Sequence, residues 1–189
     1  MPQVSGNALD SSNNPMATSG TIAIRPERPE DSAAVTSIND HAFAGTDESG
    51  LIGAIKQSGR PVISLIACSD DIPLGHIFFS PIQIHSEGPT IAALALAPMA
   101  VLPAFQRRGI GTLLVEAGLK ECARQGCQVV VVVGHPTYYP RFGFTPANSM
   151  GLRSVYSSAG DAFMALELSK GVLAGRTGRV EYPVEFANV

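Results

Sequence analysis

The stretch that most restricts how this chain can fold is Val129 to Val133, five consecutive valines between Gln128 and Gly134. β-Branched side chains are stiff and crowd a helix, but they suit a pleated strand. A strand with no polar alternation needs cover on both faces. Immediately before it, Thr112 to Gln125 has helical spacing. Leu113, Leu114, Ala117, Leu119 and Cys122 are expected toward a core, with Glu116, Lys120, Glu121 and Arg124 toward water. Gly126 follows where helices often end. Before this helix, Ile91 to Leu102 is a second, almost wholly apolar run. Strand, helix, strand in that order is a βαβ crossover, so the two strands are parallel neighbours or nearly so.

The remaining segments extend this unit into a mixed sheet. Thr21 to Ile24 alternates and reads as a first strand. Pro29-Glu30-Asp31-Ser32 opens a helix carrying Ala34, Val35, Ile38, Ala42 and Phe43 on its apolar face. A second helix is expected over Glu48 to Gln57. Val62 to Cys68 and Leu74 to His85 are strands on either side of the turn Ser69-Asp70-Asp71, the second interrupted near Pro81. Phe163 to Leu168 and Val180 to Tyr182 are expected as late antiparallel strands. The fold class is therefore α/β, a mixed sheet with helices on both faces. Residues 1–19, rich in Ser, Asn, Gly and Pro, are expected to form a mobile tail before a single domain over 20–189.

Composition excludes several classes of function. A formal net charge of -3 supplies no basic field for nucleic acid, and no apolar run reaches the roughly 20 residues of a membrane helix. Cys68, Cys122 and Cys127 form no CxxC pair and have no histidine at ligand spacing, so no metal site is expected. They read as reduced thiols of a cytoplasmic protein.

The chemistry is concentrated in Gln106-Arg107-Arg108-Gly109-Ile110-Gly111-Thr112, between the apolar strand and the helix. A helix start leaves backbone N–H groups unpaired, and these bind phosphate. Glycines at 109 and 111 allow a tight turn and close approach to the backbone, and the two arginines add charge. The loop is not that of ATPases and GTPases, because Gly111 is followed by Thr112-Leu113 where Lys and Ser or Thr are needed. Nor is it the dinucleotide fingerprint, whose third glycine would fall at Leu114.

Gln106 to Gly111 resembles the Q/R-x-x-G-x-G/A loop of the GNAT acetyltransferases. Tyr138-Tyr139-Pro140-Arg141-Phe142-Gly143-Phe144 resembles that family's second motif, and the stretch from Gly134-His135-Pro136 to Phe144 is similar to a bacterial subgroup of uncharacterised predicted N-acetyltransferases. The resemblance covers about residues 21 to 170 and implies transfer of acetyl from acetyl-CoA to an amine of a small molecule or protein. It also implies that the two central strands splay, with backbone groups of Met99, Ala100 and Val101 meeting the pantetheine arm. Arg107, Arg108, Gly109, Ile110, Gly111 and Thr112 would then hold the pyrophosphate behind Gln106.

Pro98 agrees with a broken pairing there, because proline donates nothing to a ladder. The family places its acid at Tyr139, four residues before Gly143, while Tyr138 is expected to fill the core. The proton acceptor is open. Ile91 to Leu102 has no acidic residue where some members carry a glutamate, which leaves His135, His76 and His85 as candidates by type and Glu87 as a weaker one. Residues 45–60 and 146–162 are expected to line the acceptor pocket. Arg141 has either a structural or a substrate role. A GNAT-shaped acyl-CoA sensor without catalysis is the alternative, and the oligomeric state is monomer or homodimer.

Overall fold

The valine strand occupies the interior of a nine-stranded sheet, in a computed structural model that describes residues 20–188. The tail expected over 1–19 lies outside the described residues. The strands are β1 (Ile22–Pro26), β2 (Ile63–Ser69), β3 (Ile72–Ser86), β4 (Ile91–Val101), β5 (Val129–Val133), β6 (Thr145–Pro146), β7 (Leu152–Arg153), β8 (Phe163–Glu167) and β9 (Gly178–Glu181). They run in the order β1-β2-β3-β4-β5-β8-β6, and β9 pairs with β3 and β7. The helices are α1 (Ser32–Phe43), α2 (Asp47–Gln57) and α3 (Ile110–Arg124). As expected from the crossover, β4 and β5 are parallel, and β5 and β8 are antiparallel.

Two cores sit on the two faces of this sheet. Val129 and Val131 point into the one covered by α1 and α2, with Val35, Leu51, Ile52 and Ile55. Val130 and Val132 point into the one covered by α3, with Ile110, Leu114, Val115 and Cys122. The first four valines are thus explained, because alternate residues serve different cores, while Val133 is exposed at the strand's end. Each large aliphatic side chain so buried contributes about 1.5–3 kcal/mol. On the α3 side the packing is close. A Cβ on Gly118 would lie 2.4 Å from the Phe79 ring, so glycine there sets how near α3 can approach β3.

Three expectations are corrected. The helix begins at Ile110 rather than Thr112, and its buried stripe is Ile110, Leu114, Val115, Gly118 and Cys122, with Leu113 exposed. Pro81 does not interrupt β3, since it stands opposite Leu94 in a continuous strand. The irregularity lies earlier in the strand: Ile77 faces Met99 while Phe79 faces Leu96, so β4 carries an extra residue at Ala97-Pro98, where the peptide is cis. Phe43, expected in the core, is exposed at the end of α1.

At the start of α1, Asp31 is buried and accepts two hydrogen bonds from Arg25, at 2.6 and 2.8 Å, and one from the Arg28 N–H at 2.7 Å. The carboxylate therefore joins the helix to β1 rather than only matching the helix dipole. The Arg25 hydrogen bonds hold its pKa down at about 2. The apolar C-terminal segment pairs within the chain, with Val180 opposite Ile84.

Candidate functional site

Strands β4 and β5 part company halfway along. Their pairing runs from Ala93 with Val129 to Leu96 with Val132 and goes no further. Beyond it β4 continues to Val101, paired only with β3. The Leu102 N–H donates to the Leu74 carbonyl at 2.9 Å, so Leu102 and Ala100 turn their backbone groups toward β3. By strand alternation, those of Met99 and Val101 face the opening. The splayed pair implied by the family resemblance is present, and the β4 bulge at Pro98 sits at its root. Ala100 is on the same strand, but its backbone is committed to β3 and its side chain is buried.

A cleft of about 1100 Å³ occupies the opening. Its wall on the α3 face includes Gln106, Arg107, Gly109, Gly111 and Thr112. Gly109 caps α3 in the left-handed region (φ 84°), and Arg107 also has positive φ (60°), which makes the turn into the helix abrupt. The first helical bond runs from the Leu113 N–H to the Gly109 carbonyl at 3.1 Å. The N–H groups of Ile110, Gly111 and Thr112 therefore precede the intrahelical ladder, the arrangement that suits a phosphate. Two members of the expected set stand off the wall. The Arg108 guanidinium lies 5.2 Å over the Phe105 ring, and the Ile110 side chain is in the core. Gln106 has a supporting role not anticipated from the motif: its side-chain amide donates to the Val101 carbonyl at 3.0 Å. That leaves the Val101 N–H and both Met99 groups for a ligand lying along β4.

The aromatic motif closes the same end. Tyr139 is buried, packs edge-on against Tyr138 and Phe144, and lines the cleft. Its ring lies against the end of β5, where a Cβ on Gly134 would come within 2.3 Å of it. Burial pushes the Tyr139 phenol well above its ordinary pKa, and the neighbouring Tyr138 adds to the shift, so it stays protonated across the neutral range. Tyr138, expected in the core, is half-buried and on the cleft wall. A Cβ on Gly111 would lie 2.9 Å from its hydroxyl, and the Arg141 guanidinium stands 4.6 Å over its ring. Burial raises its pKa too, with the Thr112 side chain and the Arg141 charge acting in the opposite sense.

The candidates for proton acceptor separate. His135 lines the cleft and is exposed. His76 is fully buried between Asn39 Nδ2 (3.1 Å) and Ser64 Oγ (2.9 Å), and burial first, then the Lys56 charge, lowers its pKa to about 3. His85 pairs with Glu181 at 2.7 Å on the far half of β3, and neither it nor Glu87 is on the cleft wall. The thiols are off the wall as well. Cys68 and Cys122 are buried, Cys127 is half-buried, and burial raises the pKa of all three.

The opposite end of the cleft lies on the α1/α2 face. Glu48 and Leu51, with Tyr156 and Ala162, come from the two segments expected to line an acceptor pocket. Phe43, Tyr182 and Phe186 join them, and sequence reading missed these three. No local signal marks the last two, since only the return of β9 to β3 brings the C-terminal turn beside α2.

Comparison with known proteins agrees with this geometry. The family model described as an acetyltransferase (GNAT) domain matches residues 61–146. The uncharacterized N-acetyltransferase YhbS of Escherichia coli K12 is 30% identical over 166 residues, which is 87% of this chain and 98% of that protein. The uncharacterized N-acetyltransferase YjhQ of the same strain is 36% identical over 118 residues, covering 61% of this chain and 65% of its own length. Among solved structures, Escherichia coli YhbS in complex with CoA superposes with a TM-score of 0.83 at 30% identity, covering 89% of this chain and 93% of that one. A GNAT family acetyltransferase from Brucella melitensis in complex with acetyl-CoA gives 0.73 at 30% identity, covering 88% and 99%.

Proposed function

Because the chain belongs to the GNAT family of N-acetyltransferases, we propose that it transfers the acetyl group of acetyl-CoA directly to an amine of a small molecule or protein. The observation that carries this reading is the gap between β4 and β5, which opens at one end onto the unpaired start of α3. The groups present fit acetyl-CoA as a substrate. N–H groups from Arg107 to Thr112 receive the pyrophosphate. Met99 and the Val101 N–H receive the pantetheine arm as an added strand would.

A backbone N–H near Val101 that the arm leaves free is the donor that polarises the thioester carbonyl as negative charge develops on its oxygen. Tyr139 holds its proton at neutral pH and gives it to the sulfur as the carbon–sulfur bond breaks. His135, exposed on the cleft wall, takes the proton released by the amine, directly or through water. Met99, Val101, Gly109, Gly111 and Thr112 supply backbone, Gln106 steadies Val101, and Arg107 supplies charge. The N–H groups of Arg108 and Ile110 contribute although their side chains do not. The three unpaired thiols agree with a reducing, cytoplasmic location.

The test is thermal stability with acetyl-CoA, CoA, NAD and ATP, followed by thiol release in the presence of amines. A ligand at a hundred times its Kd stabilises by about 2.7 kcal/mol, so a shift of several degrees is expected with the two CoA species alone. Absence of that shift removes the reading. A shift without thiol release from any amine assigns the chain to acyl-CoA sensing.

A further inference from the structure

The cleft crosses the sheet, and its two ends differ in chemistry. The cationic lining residues Arg107 and Arg141 belong to the phosphate loop and the aromatic motif. On the α1/α2 face the cleft is bounded by Phe43, Leu51, Tyr156, Tyr182 and Phe186, with Glu48 the one carboxylate on the whole cleft wall. Glu48 is half-buried on α2, one turn before Leu51. Several sheltered carboxylates of the described residues have cationic partners, Asp31 with Arg25, Glu27 with Lys56 and Glu185 with Arg60, and Glu167 accepts from backbone N–H groups, while Asp40 lies off the cleft. Glu48 has neither an ion pair nor a hydrogen bond among the described residues; it stands in the first turn of α2, where a carboxylate is favoured by the helix start, and lines the cleft.

The aromatic groups around it are already arranged. Tyr156 and Tyr182 meet edge to face with centroids 4.9 Å apart, and Tyr182 and Phe186 are 5.1 Å apart. The Tyr156 hydroxyl donates to the Phe186 carbonyl at 3.4 Å. A wall fixed in this way takes a flat or branched apolar body without first having to order its own side chains. Ring faces and an unpaired carboxylate together favour a cation.

We infer that the acceptor is an amine cation carrying an aromatic or bulky apolar body, with Glu48 holding its positive charge in the α1/α2 half of the cleft. This rests on the acetyl-transfer reading above and goes beyond it in naming the acceptor class. An acceptor bearing its own carboxylate meets Glu48 with repulsion, and a small alkylamine leaves the aromatic wall unfilled.

The experiment keeps the two readings apart by measuring the thermal shift with CoA alongside thiol release from acetyl-CoA. The acceptors are phenethylamine, phenylalanine and ethylamine. Phenethylamine is expected to give kcat/KM at least about tenfold above each of the others. Glu48→Gln is expected to raise the KM for phenethylamine at least about fivefold with kcat within about twofold, and to leave the CoA shift unchanged. Tyr182→Leu, which keeps an apolar wall but removes a ring, is expected to raise the same KM. Equal or reversed ranking of the three amines overturns the inference. So does a Glu48→Gln variant that loses kcat at constant KM, since the carboxylate would then be moving a proton rather than binding charge. A protein that shifts with CoA yet neither acetylates nor binds phenethylamine overturns it as well, while loss of the CoA shift itself removes the transfer reading beneath it.

Discussion

The α3 face of the cleft and the α1/α2 face are built by different means. On the α3 face, two short segments, Met99 to Thr112 and Tyr138 to Phe144, supply nearly everything, much of it as backbone N–H and carbonyl groups. The opposite face takes side chains from α1, α2, the Ser157–Ala162 region and the C-terminal turn, segments far apart in the chain. A site made of backbone tolerates many side chains but demands particular glycines. A site made of side chains allows almost any local sequence, provided the fold delivers the right groups. On the proposed reading, the first would recognise the part of the reaction common to the family, and the second the part that varies.

Substitutions that act on one face and spare the other test this contrast. The largest effect is expected from Gly109→Asp, which forces a side chain into φ 84° and sets a negative charge at the helix start. CoA should bind about a hundredfold more weakly by calorimetry, with the fold retained by circular dichroism. Unchanged affinity would mean the phosphate lies elsewhere. Next is Tyr139→Phe, which should lower kcat at least about tenfold while CoA affinity stays within about threefold. Normal turnover would leave Tyr139 a packing residue only. Smaller again is Tyr156→Ala on the α1/α2 face, expected to raise the acceptor KM by about three- to fivefold with the CoA thermal shift unaltered. If that shift falls equally, the two faces are not separable.

A last prediction concerns stability rather than binding or turnover, and it too distinguishes the faces. The α1/α2 face buries a polar chain absent from the α3 core: Asn39 donates to His76 Nδ1, His76 Nε2–H meets Ser64, and the Ser64 hydroxyl donates to Glu27. His76 is neutral when folded, with its pKa lowered to about 3, against an ordinary value of 6.5. Below pH 6.5 the unfolded chain therefore binds a proton that the folded one does not. The contribution of this residue to stability is complete above that pH and lost progressively toward pH 3. Denaturant titrations should show stability falling between pH 6.5 and 5 with a slope approaching 1.4 kcal/mol per pH unit, set by one proton. His76→Gln should flatten that window, and an unchanged slope would assign the proton to another group.

The same contrast explains what could be read without coordinates. The five valines, the helix after the glycine loop and the apolar run before it fixed the parallel crossover, because periodicity and β-branching act locally. The loop glycines and Tyr139 were legible for the same reason, since backbone geometry and a short motif travel together along the chain. Local pattern failed where one residue of phase mattered. Of the adjacent pair Leu113 and Leu114 only Leu114 is buried, and a tyrosine expected in the core, Tyr138, came to rest over the start of α3.

By itself, then, the sequence determined the α/β crossover, the glycine turn that starts α3 and the aromatic motif, all features specified by neighbours within a few residues. Only the tertiary structure decided the α1/α2 end of the cleft. It brought Glu48, Tyr156, Tyr182 and Phe186 to one cleft, and it placed His76 and His85 off the cleft wall and His135 on it. Those outcomes depend on how α2 packs against the C-terminal turn and on which half of β3 each histidine occupies. Long-range pairing and packing set such relations, and they leave no signature in adjacent residues.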